Sequence, residues 1–373
     1  METDGRTPLE AALGPAREAV ARWVGGVERG AHVVVLCHFD ADGVGAEALF
    51  GRALARLGFG RVSVVHSERG ESAFKERARR RLAEMAPDAL VVTDLGVHAA
   101  GVLPGVPTLY VDHHRPEGLP GGAATVVTGY PWEPIPASAW MAYDLLSPLA
   151  DIADLAWIAA VGTTSDLGDR APWPELPAIR KRFGGKAIRE AVSLVNAARR
   201  AGAFDVETAL RLLMHADGPS VFLDEAHPDT ARLRAYRLEV QTELAQARKT
   251  APVFASTGPF ALVPLDSPCQ VHPLIAQQWR GRLKGHAVIA ANRGYLPGVV
   301  AFSIRTARED LVLPDILRAV DLGEHEHDVG RGHDQASGGQ LPPPLFNRLM
   351  DGLGFDARVH VPLPTQRLLP ESE

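Results

Sequence analysis

Cysteine is almost missing from this sequence: Cys37 and Cys269 are the only two, and they stand far apart. That excludes a disulfide framework, argues against a structural zinc site and fits a reducing cytoplasm. No stretch approaches the eighteen or so apolar residues that a membrane span needs. The first thirty residues carry Glu2, Asp4, Glu10 and Glu18 without an apolar run, so no signal peptide is expected. There is no surplus of positive charge either. The formal net charge is −6, which speaks against a broad basic surface for long duplex nucleic acid but leaves room for a local basic groove. Internal repeats and low-complexity runs are absent too. Hydrophobic residues make up 46% of 373 positions, enough for sizeable cores and, on length, for two domains.

The stretch Val33 to Gly43, V-V-V-L-C-H-F-D-A-D-G, organises the rest. An apolar run bounded by a turn signal reads as a buried, parallel strand. In open parallel sheets, ligands sit beyond the carboxyl ends of the strands. Alternation predicts that His38, Asp40 and Asp42 point the same way. Carboxylates this close repel unless a cation or proton lies between them. Two readings stand at this point: a metal site, or a polar turn in which an Asp caps the next helix.

Short apolar strands alternating with helices predict an α/β fold. A helix is expected over residues 7–29, then strands at 62–65, 89–93 and 108–111, with helices at 44–57, 72–85, 137–149 and 152–161. Pro172, Pro174 and Pro177 break the pattern, and residues 186–251 read as a mostly helical connector. Beyond it, strands are expected at 260–263, 287–291 and 299–304, helices at 272–282, 313–320 and 343–353, and a glycine- and histidine-rich loop at Gly323 to Gly339. The expected architecture has two lobes: a mainly parallel sheet with flanking helices over residues 1–185, and a smaller mixed-sheet α/β domain over 252–373.

Acidic and histidine positions recur at four points: His38/Asp40/Asp42, Asp94, Asp112/His113/His114, and Asp166. At least three follow apolar strands, and parallel strands deliver their carboxyl ends to one edge. Carboxylate with imidazole suits Mn²⁺, Mg²⁺ or Zn²⁺. Two such ions about 3.5–4 Å apart clamp a phosphate and activate a water. Asp94, from a central strand, is the natural bridging ligand.

In this order the four points resemble the motifs of the DHH phosphoesterase superfamily. The resemblance implies a two-metal phosphodiesterase, usually manganese-dependent. One ion would be held by His38, Asp40 and Asp94, the other by Asp42, Asp94, His113 and Asp166. His114 would face the substrate phosphate, and Asp112 would orient its neighbours. Phe302-Ser303-Ile304-Arg305 and the run Gly330 to Gly339 resemble the DHH-associated domain, which implies that Ser303, Arg305, Gly332 and His333 contact the substrate. Arg331 stands where that family usually has glycine, and His325 and His327 have no place in its pattern and read as solvated. Val195 to Arg200, with Asn196 and Arg200 as expected substrate contacts, resembles a segment of RecJ-type exonucleases in which Arg199 replaces a glycine. Long bacterial RecJ proteins carry a further nucleic-acid-binding domain, for which this chain is too short.

The leading expectation is therefore a cytoplasmic RecJ-like exonuclease, monomeric or homodimeric. It would hydrolyse single-stranded DNA or RNA from an end with two cations, most readily Mn²⁺, with Mg²⁺ second. A phosphodiesterase of short oligonucleotides, cyclic dinucleotides or 3′-phosphorylated nucleotides is the alternative within hydrolases. A degenerate DHH protein that only binds nucleic acid is a third reading, and the intact ligand positions argue against it.

Overall fold

A computed structural model describes residues 6–323 and 329–362, apart from the side chains at positions 331–333. His325 and His327 lie outside the described residues. By packing, the chain divides into two units, Met1–Arg199 with Ala203–Arg237, and Arg200–Gly202 with Leu238–Glu373.

The first unit opens with β1 (Thr7–Pro8) and α1 (Leu9–Gly26). Next in order are β2 (His32–Cys37), α2 (Ala41–Arg56), β3 (Arg61–His66), α3 (Glu76–Glu84), β4 (Ala89–Thr93), β5 (Thr108–Asp112), β6 (Ala124–Thr128) and β7 (Trp132–Glu133). Helices α4 (Ser138–Leu146), α5 (Ala156–Leu167), α6 (Leu176–Phe183), α7 (Gly185–Arg200) and α8 (Val206–His215) come after them, and α9 (Pro228–Ala247) runs from this unit into the second. The main sheet is parallel throughout, in the order β3-β2-β4-β5-β6. Strand β1 pairs with β7 apart from it.

Every residue of β2 is buried, because both faces of the sheet are covered. Val33, Val35 and Cys37 belong to the core that contains α2, α4 and α5, whereas Val34 and Leu36 meet Leu82 of α3 and Tyr110 of β5 on the other side. That is the period of two expected of a strand. Each Val or Leu so buried contributes about 1.5–3 kcal/mol.

The second unit holds β8 (Val253–Phe254), β9 (Phe260–Leu265), α10 (His272–Arg282), β10 (Ala287–Asn292), β11 (Val300–Thr306), α11 (Leu313–Arg318), β12 (Val329–His333), β13 (Ala336–Leu341) and α12 (Pro343–Gly352). Its sheet runs β12-β13-β11-β10-β9-β8; only β9 and β10 are parallel, so the sheet is mixed. Phe302, Leu317, Phe346 and Met350 belong to its core.

Three expectations need correction. The loop expected from Gly323 to Gly339 contains a β-hairpin, β12 and β13, whose glycines hide the strand signal while the backbone ladder still forms. Strand β6 and helix α6 were not expected; β6 is only half-buried, and α6 starts inside the proline-broken segment, with Pro177 in its first turn. His38, Asp40 and Asp42 do not share one strand. The strand ends at Cys37, and Asp42 lies in the first turn of α2.

Candidate metal centre

The turn between β2 and α2 is closed by Asp40, which is the N-cap of the helix. Its Oδ1 accepts from the backbone N–H groups of Asp42 (3.2 Å) and Gly43 (3.1 Å), leaving Oδ2 3.1 Å from His38 Nδ1. The capping reading and the ligand reading thus describe two oxygens of one carboxylate. Gly43 is required here: a Cβ on it would lie 2.4 Å from the carbonyl oxygen of His38.

Asp94 lies just beyond β4, the middle strand of the sheet, with φ of +61°. A non-glycine residue in that region carries local strain, and such strain collects at functional sites. Asp94 Oδ2 is 3.7 Å from His38 Nδ1, and its Oδ1 is 3.3 Å from His113 Nε2. On its other side His113 presents Nδ1 3.7 Å from Asp166 Oδ2. Asp166 belongs to α5, so it reaches the rim from a helix.

Asp42 is buried and faces the N-terminus of α4. Its Oδ2 accepts from Ser138 N–H (2.8 Å) and its Oδ1 from Ala139 N–H (2.9 Å), where the helix dipole favours an anion. Gly162 of α5 makes this approach feasible, since a Cβ there would sit 2.4 Å from Ala139 Cβ and 2.7 Å from Asp42 Oδ1. Asp112, at the end of β5, is committed elsewhere. Its Oδ2 accepts from the N–H groups of Leu95 and Gly96, and its Oδ1 from His114 N–H, with His114 Nδ1 at 3.0 Å. It fixes His114 and does not enter the cluster.

Three sets of ligand atoms lie close enough to hold an ion: His38, Asp40 and Asp94; Asp42, His113 and Asp166; and Asp94, His113 and His114. Asp94 and His113 each serve two sets. The donors are carboxylate oxygens and imidazole nitrogens without sulfur, a set that suits Mn²⁺ or Mg²⁺.

The electrostatics are those of a site built around positive charge. Burial, then the charges of Asp94 and Asp166, push the Asp42 carboxyl well above the ordinary range. Burial, then Asp94 and Asp40, raises Asp166 in spite of His113. Burial acts to lower the affinity of His113 for a proton, but Asp94, Asp42 and Asp166 outweigh it and carry that pKa to about 10. Burial opposes ionisation of Asp40 as well, yet His38 and Arg199 hold its carboxyl well below the usual value. The raised proton affinity of His113 reflects how strongly the surrounding carboxylates favour positive charge.

Asn196, on α7, is buried; its Nδ2 donates to Ser165 Oγ (2.8 Å) and Val192 O (3.2 Å), while its Oδ1 accepts from Arg199 Nε (2.9 Å). It therefore adjoins the turn of α5 that carries Asp166. Arg200 belongs by packing to the second unit. Ser303 and Arg305 lie on β11 and face Gly338 and Ala336 of β13, which in turn pair with Arg331 and His333 of β12. Gly332 pairs with Ser337. Arg305 is half-buried and donates from one Nη to the carbonyl oxygens of Ile304 and Ser337.

Ser138, Gly162 and Arg199 were not anticipated as parts of the site. Ser138 touches two of the carboxylates; its one signal was its place at the start of a helix. Gly162 signalled itself only as an isolated glycine within a helical pattern.

No family model matches the chain. It is 28% identical over 372 residues to the single-stranded-DNA-specific exonuclease RecJ of Thermus thermophilus, spanning 86% of this chain and 52% of that protein. The chain thus covers about half the length of this relative. The structure of that RecJ with Mn²⁺ matches 93% of this chain and 55% of its own, at a TM-score of 0.65 and 23% identity. Its structure with Mg²⁺ matches 97% and 55%, at 0.60 and 21%. The DHH domain of a protein from a ribosomal-protein family matches 94% of this chain and 93% of its own, at 0.65 and 15%. In sequence the chain is similar to a RecJ exonuclease, and in fold it is similar to RecJ and to a DHH domain.

Proposed function

We propose that this protein is a two-cation phosphodiesterase that releases nucleotides from an end of single-stranded nucleic acid. The observation that carries the reading is the convergence of three overlapping ligand sets on Asp94 and His113. His38, Asp40 and Asp94 would hold one cation, and Asp42, Asp94, His113 and Asp166 the other. When bound, the pair would neutralise phosphate charge and supply an activated water at neutral pH. Asp94 sets the spacing between the two positions. Asp112 fixes the ring of His114, leaving Nε2 to meet a non-bridging phosphate oxygen. Asn196 steadies the Asp166 turn through Ser165.

Residues 1–185 would form the catalytic domain, 186–251 a connector and 252–373 the substrate-binding domain. In the last, Ser303, Arg305, Gly332 and His333 would hold the nucleotide; Arg200 would meet the substrate from the connector. The similarity to a RecJ specific for single-stranded DNA favours DNA as the substrate. No helix among the described residues is long and apolar enough to cross a membrane, and the absence of a disulfide framework agrees with action in the cytoplasm.

The test is manganese-dependent release of product from labelled single-stranded DNA, single-stranded RNA, a dinucleotide and a cyclic dinucleotide. Progressive release from the DNA strand is expected. Hydrolysis of only the dinucleotide or cyclic dinucleotide would overturn the strand reading, and turnover of none would overturn hydrolysis altogether.

A further inference from the structure

Beside the metal-ligand cluster, the first unit gathers a group of rings that the proposed hydrolysis does not use. The Phe39 ring centre lies 4.2 Å from that of His38. Phe204 stands edge-to-face with Phe39 at 5.1 Å and with His66 at 5.9 Å. The guanidinium carbon of Arg69 sits 5.1 Å from the Phe204 ring centre, over its face. Phe39 is buried, whereas Phe204, His66 and Arg69 keep part of their surface in solvent.

The backbone of Phe204 is the second observation. Its φ is +52°, a conformation in which a bulky aromatic residue is strained and glycine would not be. The residue after it is firmly held. Asp205 caps α8, its Oδ1 accepting from Thr208 N–H (3.2 Å) and its Oδ2 from Thr208 Oγ1 (2.7 Å) and Tyr236 Oη (2.9 Å). The turn therefore keeps an aromatic side chain where the backbone disfavours one. One part of the ring packs against the core of the unit, and the rest stays open to solvent.

An aromatic face with a guanidinium over it is a surface on which a nucleobase stacks, whatever its sequence. We propose that Phe204 and Arg69 form a nucleobase-stacking site for the nucleotide next to the phosphate held at the His38–Asp94 cluster. The proposal rests on the phosphodiesterase reading for its choice of ligand. Phe39 and His66 set the tilt of the Phe204 ring, and the base would lie against the phenyl–guanidinium pair. Because every base has a π-face, no sequence preference is expected from it.

The experiment compares binding of a fluorescent, phosphorothioate-linked oligothymidylate with binding of its abasic counterpart, in Mn²⁺, by anisotropy. Phe204→Leu keeps an apolar side chain and removes the π-face; it is expected to lose about tenfold in affinity for the base-bearing strand and nothing for the abasic one. Phe204→Trp should restore the difference. Arg69→Gln should reduce it too, and supplies the comparison if Phe204→Leu folds poorly. Equal binding of the two strands by the wild-type protein, or an equal loss on both in Phe204→Leu, would overturn the stacking site. Cleavage is read separately, on the phosphodiester strand. An inactive protein with base-dependent binding would sink the hydrolase reading alone, and an active one without it would sink the stacking site alone.

Discussion

The hydroxyl of Ser138 donates to Asp94 Oδ1 over 3.0 Å, across 44 positions of sequence. Partners of this kind orient a ligand without touching the ion, and their loss typically weakens metal binding by about 10–100-fold. Ser138→Ala keeps the backbone N–H that serves Asp42. It should therefore lower Mn²⁺ affinity within that range, as titration calorimetry would register, with little effect on folding. Unchanged affinity would show that Asp94 needs no such support.

Asp94→Ala removes the carboxylate common to two ligand sets. Turnover is expected to vanish and bound metal to fall, as measured by elemental analysis of the purified variant. A near-normal rate would mean that the ligand assignment is wrong.

Arg305→Ala removes a candidate substrate contact and spares the cluster. KM should rise about tenfold or more with kcat little changed, since a contact made equally in ground and transition states is lost. A fall in kcat alone would move Arg305 to transition-state stabilisation.

Glu47 is fully buried on α2 and accepts from the Cys37 thiol over 2.9 Å, and its Oε1 has no partner among the described residues. Burial raises its carboxyl from 4.5 to about 8. The folded state thus holds this proton more tightly than the unfolded state. The stabilisation is complete below the unfolded value and is lost as pH rises through about 8. Glu47→Gln is neutral throughout and should flatten that loss. Unfolding free energies from denaturant titration should show a gain over wild type at pH 9, relative to pH 5, of roughly 4 kcal/mol. A gain of the same size at both pH values would remove the titration from the account.

What the sequence disclosed was the set of strand ends. Apolar runs that stop at Asp94 and Asp112 mark buried strands and the rim beyond them, because both signals are local and contiguous. The mode of convergence was less visible. His38, Asp40 and Asp42 meet their partners through a strand end, a helix cap and a helix turn, and pure alternation described none of the three steps. Ser138 and Gly162 escaped notice because each matters only through space. A serine at a helix start and a glycine within one look the same whether or not a carboxylate lies against them. The hairpin of β12 and β13 stayed hidden because glycine supplies backbone hydrogen bonds without a side-chain pattern.

Asp42 anchors two things at once. Its oxygens tie down the first amides of α4 and also offer a ligand atom beside His113 and Asp166. Chelation leaves that carboxylate crowded by like charge and prone to take up a proton, which weakens it as an acceptor. Hydrogen exchange at Ser138 and Ala139 should then quicken on metal removal while the rest of the sheet stays protected, so that these two amides would report site loading from within an intact fold.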